Sequence, residues 1–131
     1  MNRVVITGLG IISPVGNTVE QFWDSLTQGK CGIGYITRFD TEGYKVKVAA
    51  EVKEFDPANY MDPANARRMD LFAQYAMAAA VMAMEDSGLE GKISSDRLGV
   101  YIGSGIGGLT TLIKETEKGV QKGYGRVSPM F

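Results

Sequence analysis

The sequence predicts an α/β fold, with a parallel core sheet buried between helices. Three observations carry that expectation. Two short apolar, β-branched runs, RVVIT at 3–7 and LGVYI at 98–102, have the character of strands covered on both faces. Stretches of helical period alternate with them. One of these stretches, Leu71 to Met84, is apolar nearly all round, the pattern of a helix covered on every side.

Taken in order, the first run ends in Gly8 and leads into GLGIISPVGN, a turn-rich connection. Asn17 is an expected helix cap, with Glu20 three residues on as its reciprocal partner. Val19, Phe22, Trp23 and Leu26 then share one face of a helix over 18–28, and Gly29 is its natural stop. Residues 30–44 read as loop. The run KVKVAAEVKEF alternates, with Val46, Val48, Ala50 and Val52 on one side, and predicts a half-exposed antiparallel strand near an edge. Asp56-Pro57 and Asp62-Pro63 are two successive helix starts, aspartate capping and proline at the first helical position. Gly88 ends the apolar helix, whose methionines at helical spacing are core filling. After the second strand, Leu109, Leu112, Ile113 and Thr116 form a further amphipathic face up to Gly119.

Composition narrows the function classes. The 131 residues carry 14 basic and 15 acidic side chains, a formal charge of −1 that gives no bulk attraction to nucleic acid or acidic membranes. No apolar run approaches the ~20 residues of a membrane-spanning helix, and the N-terminus lacks the apolar core of a signal peptide, so a cytoplasmic location is expected. There is no histidine and only one cysteine, Cys31. A Cys-His or Ser-His catalytic pair is therefore excluded within these residues, and neither a metal site nor a cofactor is expected. A lone cysteine of this kind is expected to be a small, buried or half-buried side chain.

Two glycine motifs invite a nucleotide. Gly8-Leu9-Gly10 is blocked by Pro14 and Gly16, which keep the chain non-helical where a pyrophosphate would need a helix N-terminus. Gly103-Ser104-Gly105-Ile106-Gly107-Gly108 does stand between strand and helix. It lacks the acidic residue roughly 20 positions on that grips a ribose, and the chain is rich in glycine throughout, with 17. The glycines are better read as letting the backbone turn and approach closely. A third feature, Asn65-Ala66-Arg67-Arg68-Met69-Asp70, puts two arginines before an apolar helix. It admits two readings: a solvated helix start with Asp62 and Asp70 as charge partners, or a cationic patch for an acidic partner or phosphate.

In conjunction and in order, RVVITGLGIISPVGNTVEQFWDSLTQGKCGI, ITRFDTEGY, AAEVKEFDPANYMDP, ARRMDLFAQYAMAAA, GVYIGSGIGGLTTL and RVSPMF resemble the N-terminal part of the elongating β-ketoacyl-acyl-carrier-protein synthases of type II fatty acid synthesis. The resemblance implies a thiolase-like layered α-β-α-β-α fold, of which these residues form an incomplete N-terminal half, and a homodimer. It implies a decarboxylative Claisen condensation of an acyl thioester with malonyl carrier protein. In that family the catalytic cysteine and two histidines lie beyond the segment matched here. No catalytic residue is therefore expected in this chain, which would be the N-terminal portion of a longer synthase and inactive alone. Cys31, in GKCGI where relatives usually carry a small residue such as serine, is not the nucleophile.

By position, Arg67 and Arg68 match the family's docking patch for the acidic acyl carrier protein; Ala64 stands where relatives often have a further lysine. Ile106 matches the floor of the acyl pocket, and Phe131 a residue reaching toward that pocket across the dimer interface. The partners implied are the acyl carrier protein, acyl and malonyl thioesters and a second copy of the chain, with no nucleic acid, membrane or cofactor. The alternatives are a polyketide ketosynthase or its chain-length partner subunit and, in another class, a non-catalytic carrier-protein-binding or dimerisation module.

Overall fold

The computed structural model describes residues 3–129. In chain order it comprises helix α1 (Val19–Thr27), strands β1 (Ile33–Tyr35) and β2 (Val48–Ala50), the one-turn helix α2 (Pro63–Ala66), the long helix α3 (Leu71–Ser87) and helix α4 (Leu109–Lys122). Short 3-10 turns occupy Pro57–Asn59, Ser95–Arg97 and Tyr124–Arg126.

Local chemistry accounts for the helix ends. Thr18, not Asn17, caps α1: its side chain accepts the Gln21 amide at 3.2 Å, and the Gln21 side chain reaches back to the Asn17 amide at 3.0 Å. The cap thus stands one residue later than expected, and Asn17 instead donates its Nδ2 to the Lys53 carbonyl, at 2.7 Å. The packed side of α1 is also turned from the expected face. Ser25 is buried and donates to the Val15 carbonyl at 2.7 Å, whereas Trp23 is 64% exposed. Asp56 and Asp62 cap their helical turns as the Asp-Pro pairs require, and Asp62 Oδ1 accepts the Ala64 amide at 2.7 Å. Gly88 closes α3 in the left-handed conformation, φ 58°. By contrast α4 runs past Gly119 to Lys122. That glycine is an inward contact, not a stop: a methyl there would lie 3.0 Å from the Tyr124 ring and 3.1 Å from Val127.

The sheet differs from expectation. Among the described residues it has two strands, β1 and β2, antiparallel with Ile33 opposite Ala50 and Tyr35 opposite Val48. β1 lies in the stretch expected to be loop, since glycines on both sides of Ile33 mask its strand character. Glu51 extends the pairing, its carboxylate accepting Thr37 N at 3.1 Å and Thr37 Oγ1 at 2.8 Å. The buried parallel sheet expected from 3–7 and 98–102 is not formed by the described residues. Val4 is 93% and Tyr101 98% exposed, and neither run has a ladder partner there. The pattern of a doubly covered strand states a need for neighbours; it does not supply them from the same stretch.

The tightest packing is backbone on helix. Residues 8–10 cross α3 along its small side chains Ala79, Ala83 and Ser87. A methyl at Gly8 would lie 2.7 Å from Ser87 N, and one at Gly10 2.9 Å from Ala83 N. The Leu9 amide donates to Asp86 Oδ2 at 2.8 Å, fixing the crossing. α3 is half-covered, not enclosed: Ala78 is fully buried, while Leu71, Phe72 and Met77 remain exposed. Cys31, expected to be buried or half-buried, is exposed as well.

Candidate functional site

Arg67 and Arg68 lie on the tight turn between α2 and α3. Asp62 starts the turn, and Arg67 N donates to the Pro63 carbonyl at 3.2 Å and Arg68 N to the Asn65 carbonyl at 3.0 Å. The other side of the turn is held by Gln74, whose Nε2 donates to the carbonyls of both Ala66, at 2.9 Å, and Met69, at 3.0 Å. One side chain thus brackets the two arginines. Ala66, beneath them, is 5% exposed, so the turn is anchored from below while both guanidinium-bearing side chains are exposed.

The charge partners first considered are occupied elsewhere. Asp62 caps its own helix and Asp70 accepts from Thr111 Oγ1 at 2.9 Å. Among the described residues the ion pair present is Lys118–Glu115, and neither arginine takes part in one. Two adjacent exposed cations with no internal anion are available to an external one. A groove of about 280 Å³ runs beside Arg67 along Pro57, Ala58 and Pro63.

Ile106 stands on the glycine turn ahead of α4 and is 74% exposed. Ser104 Oγ accepts the Gly107 amide at 3.0 Å, closing the turn around it. Two glycines there have a geometric reason: Gly107 has φ 76°, and a methyl on Gly108 would lie 3.0 Å from Asp70 Cγ. Gly103 and Gly105 have open space around the position of a side chain. Phe131 lies outside the described residues. The stretch before it is tied to α4, where the Ser128 amide donates to Glu115 Oε2 at 2.6 Å. That bond, and then the Lys118 ammonium, hold the Glu115 carboxyl below the usual glutamate range.

Two contributors to this geometry escape a sequence reading. Gln74 is the lone polar residue early in an apolar helix, which is a visible signal. Asp70 and Thr111 are 41 residues apart, and nothing local pairs them.

Compared with known proteins, the whole chain, residues 1–131, matches the N-terminal domain of β-ketoacyl synthases. The chain belongs to the β-ketoacyl synthase family. It is 49% identical over 130 residues to 3-oxoacyl-[acyl-carrier-protein] synthase 2 of Vibrio cholerae and 47% identical to the protein of that name from Coxiella burnetii, covering 98% of this chain in each case. It spans 31%, about a third, of the length of these relatives. Among solved structures, it is similar to the ishigamide ketosynthase/chain length factor, with a TM-score of 0.77, 33% identity and coverage of 96% of this chain and 32% of the other. It is also similar to the ketosynthase AntDE in complex with its type II polyketide acyl-carrier protein AntF, bound to the hexaketide. There the TM-score is 0.79 and the identity 27%, covering 99% of this chain and 34% of the other.

No helix among the described residues is long and apolar enough to cross a membrane. Nor do the described residues contain a cluster of three or more metal-ligating side chains.

Proposed function

We propose that the chain is the N-terminal part of a 3-oxoacyl-acyl-carrier-protein synthase that elongates fatty acyl chains, within a homodimeric thiolase-like αβαβα fold. The observation that carries this reading is the whole-length identity of 47–49% to synthases of that name. The polyketide ketosynthases, at 27–33%, stand further off. In the reaction, malonyl carrier protein loses carbon dioxide and the resulting carbanion forms a carbon–carbon bond with the acyl thioester carbon. The bond from that carbon to the enzyme cysteine sulfur breaks, and the thiolate leaves. With no histidine in these residues, that chemistry is assigned to the remainder of the proposed synthase.

What these residues contribute is binding. Arg67 and Arg68, exposed and in no ion pair among the described residues, dock the acidic carrier protein. Ile106 contributes an apolar side chain to the floor of the acyl pocket, and Phe131 is assigned to the same pocket only by its match to the family's sequence pattern. Docking through exposed charges acts on encounter and affinity rather than on bond making. The double charge reversal Arg67→Glu/Arg68→Glu in the full-length synthase should therefore raise KM for carrier-protein substrates about tenfold, roughly 1.4 kcal/mol, and leave kcat nearly unchanged. Steady-state kinetics check this, and an unchanged KM rejects the docking role.

A further inference from the structure

We propose that Asp70 is a positioning residue that locks the acyl-pocket turn to the carrier-docking turn through Thr111. The proposal rests on the reading of Arg67 and Arg68 as docking residues and of Ile106 as a pocket residue.

Asp70 is the N-cap of α3, but its carboxylate makes no capping bond to its own helix. Instead Oδ1 accepts from Thr111 Oγ1, in the first turn of α4, at 2.9 Å. The rest of the carboxylate fills the space beside Gly108, where a methyl would lie 3.0 Å from Asp70 Cγ. Gly108 caps α4 with no side chain of its own, so the α4 N-terminus gains its nearby anion from α3. One carboxylate thus stands at the N-terminal ends of two helices, where backbone N–H groups and the aligned peptide dipoles favour negative charge.

The consequence is mechanical. Phe72, two residues on, lies against Gly107, its ring 3.8 Å from where a methyl would be. Gly107 in turn donates to Ser104 Oγ and closes the loop that carries Ile106. From Arg68 the chain runs only through Met69 to Asp70. The docking turn and the pocket turn are therefore joined within a few residues, by a bond between segments 41 positions apart in sequence. Releasing it frees the Ile106 loop to shift while the arginines keep their own bracket from Gln74. The predicted signature is a change in acyl-chain selection without a change in carrier affinity.

The test compares Thr111→Val, Thr111→Ser, Asp70→Ala and Ile106→Phe in the full-length synthase. Each variant is assayed for kcat/KM with short and long acyl carrier proteins and for KM toward malonyl carrier protein. Thr111→Val keeps shape and removes the donor. It should change the long-to-short kcat/KM ratio about fivefold, the worth of one hydrogen bond, with KM for malonyl carrier protein unaltered. Asp70→Ala should move the ratio in the same direction, and Thr111→Ser, which keeps the hydroxyl, should restore it. A wild-type ratio in both Thr111→Val and Asp70→Ala, with Ile106→Phe shifted, overturns the positioning role alone. A ratio unmoved by Ile106→Phe overturns the pocket reading and this proposal with it. A Thr111→Ser variant as altered as Thr111→Val also overturns it, since the hydroxyl would then not be the operative group.

Discussion

At the scale of single residues, the glycines near the N-terminus show how a motif can be present for a reason other than its best-known one. Gly8 and Gly10 have nucleotide-loop spacing, yet what they accommodate is the α3 backbone: a methyl on Gly10 would run into Ala79 O and lie 2.9 Å from Ala83 N. Backbone atoms of a helix cannot rotate aside as a side chain can, so the whole crossing must open. Gly10→Ala should therefore destabilise the full-length synthase by about 1–3 kcal/mol, the usual cost of overpacking. Thermal or urea melting measures this, and a melting curve that does not move would mean that the crossing yields freely. The glycine pair is legible in the sequence, but its partner surface is not. Ala79, Ala83 and Ser87 read only as small residues in a helix until the chain is laid across them. Gln74 is the opposite case. A single amide among apolar neighbours announces that something must receive its two N–H groups, and the Ala66 and Met69 carbonyls do.

At the scale of elements, helices defined by local chemistry were readable and elements defined by distant pairing were not. The two Asp-Pro starts and the span of α3 follow from capping and periodicity within a few residues. β1 is hidden because a strand of three residues between glycines has almost no local signature and exists by virtue of β2. α4 continues past Gly119 for a related reason: packing against Tyr124 and Val127 makes a mid-helix glycine useful. The same helix holds the following segment through Glu115, whose carboxyl is shifted down chiefly by the Ser128 amide and next by Lys118. A carboxyl lowered in the folded state contributes stability that is fully present above its unfolded pKa and is lost as pH falls through the folded value. Docking of residues 124–129 on α4 should thus loosen on acidification below about pH 4, near the ordinary glutamate value of ~4.3. Hydrogen-exchange protection of the Ser128 amide, corrected for intrinsic rate, should decline over that window, and Glu115→Gln should flatten the dependence. Protection that stays constant through the acid range would show that another contact holds the segment.

At the scale of the whole molecule, the distribution of apolar surface is the governing fact. Among the described residues the buried hydrophobic side chains are Ala66 and Ala78, while Val4, Ile6, Val100, Tyr101, Ile102 and Ile106 are all at least 60% exposed. The strand-like runs combine this exposure with backbone groups that lack ladder partners, and unpaired extended apolar segments are templates for further pairing. Their hydrophobic character is plain in the sequence, whereas the described residues supply them no strand partner; the matched relatives are about three times as long. The 131 residues expressed as a separate polypeptide should therefore self-associate at micromolar concentration and bind a dye that reports exposed apolar surface. They should also fail to condense acyl and malonyl carrier proteins, having no histidine. Sedimentation and a condensation assay read the two properties independently. A monodisperse monomer would mean that the exposed runs fold back on the chain itself, and turnover above background would place the nucleophile within these residues. On the proposed reading, a full-length synthase should show neither association through these surfaces nor dye binding, so comparing the two polypeptides tests whether the apolar surface is interior in the longer protein.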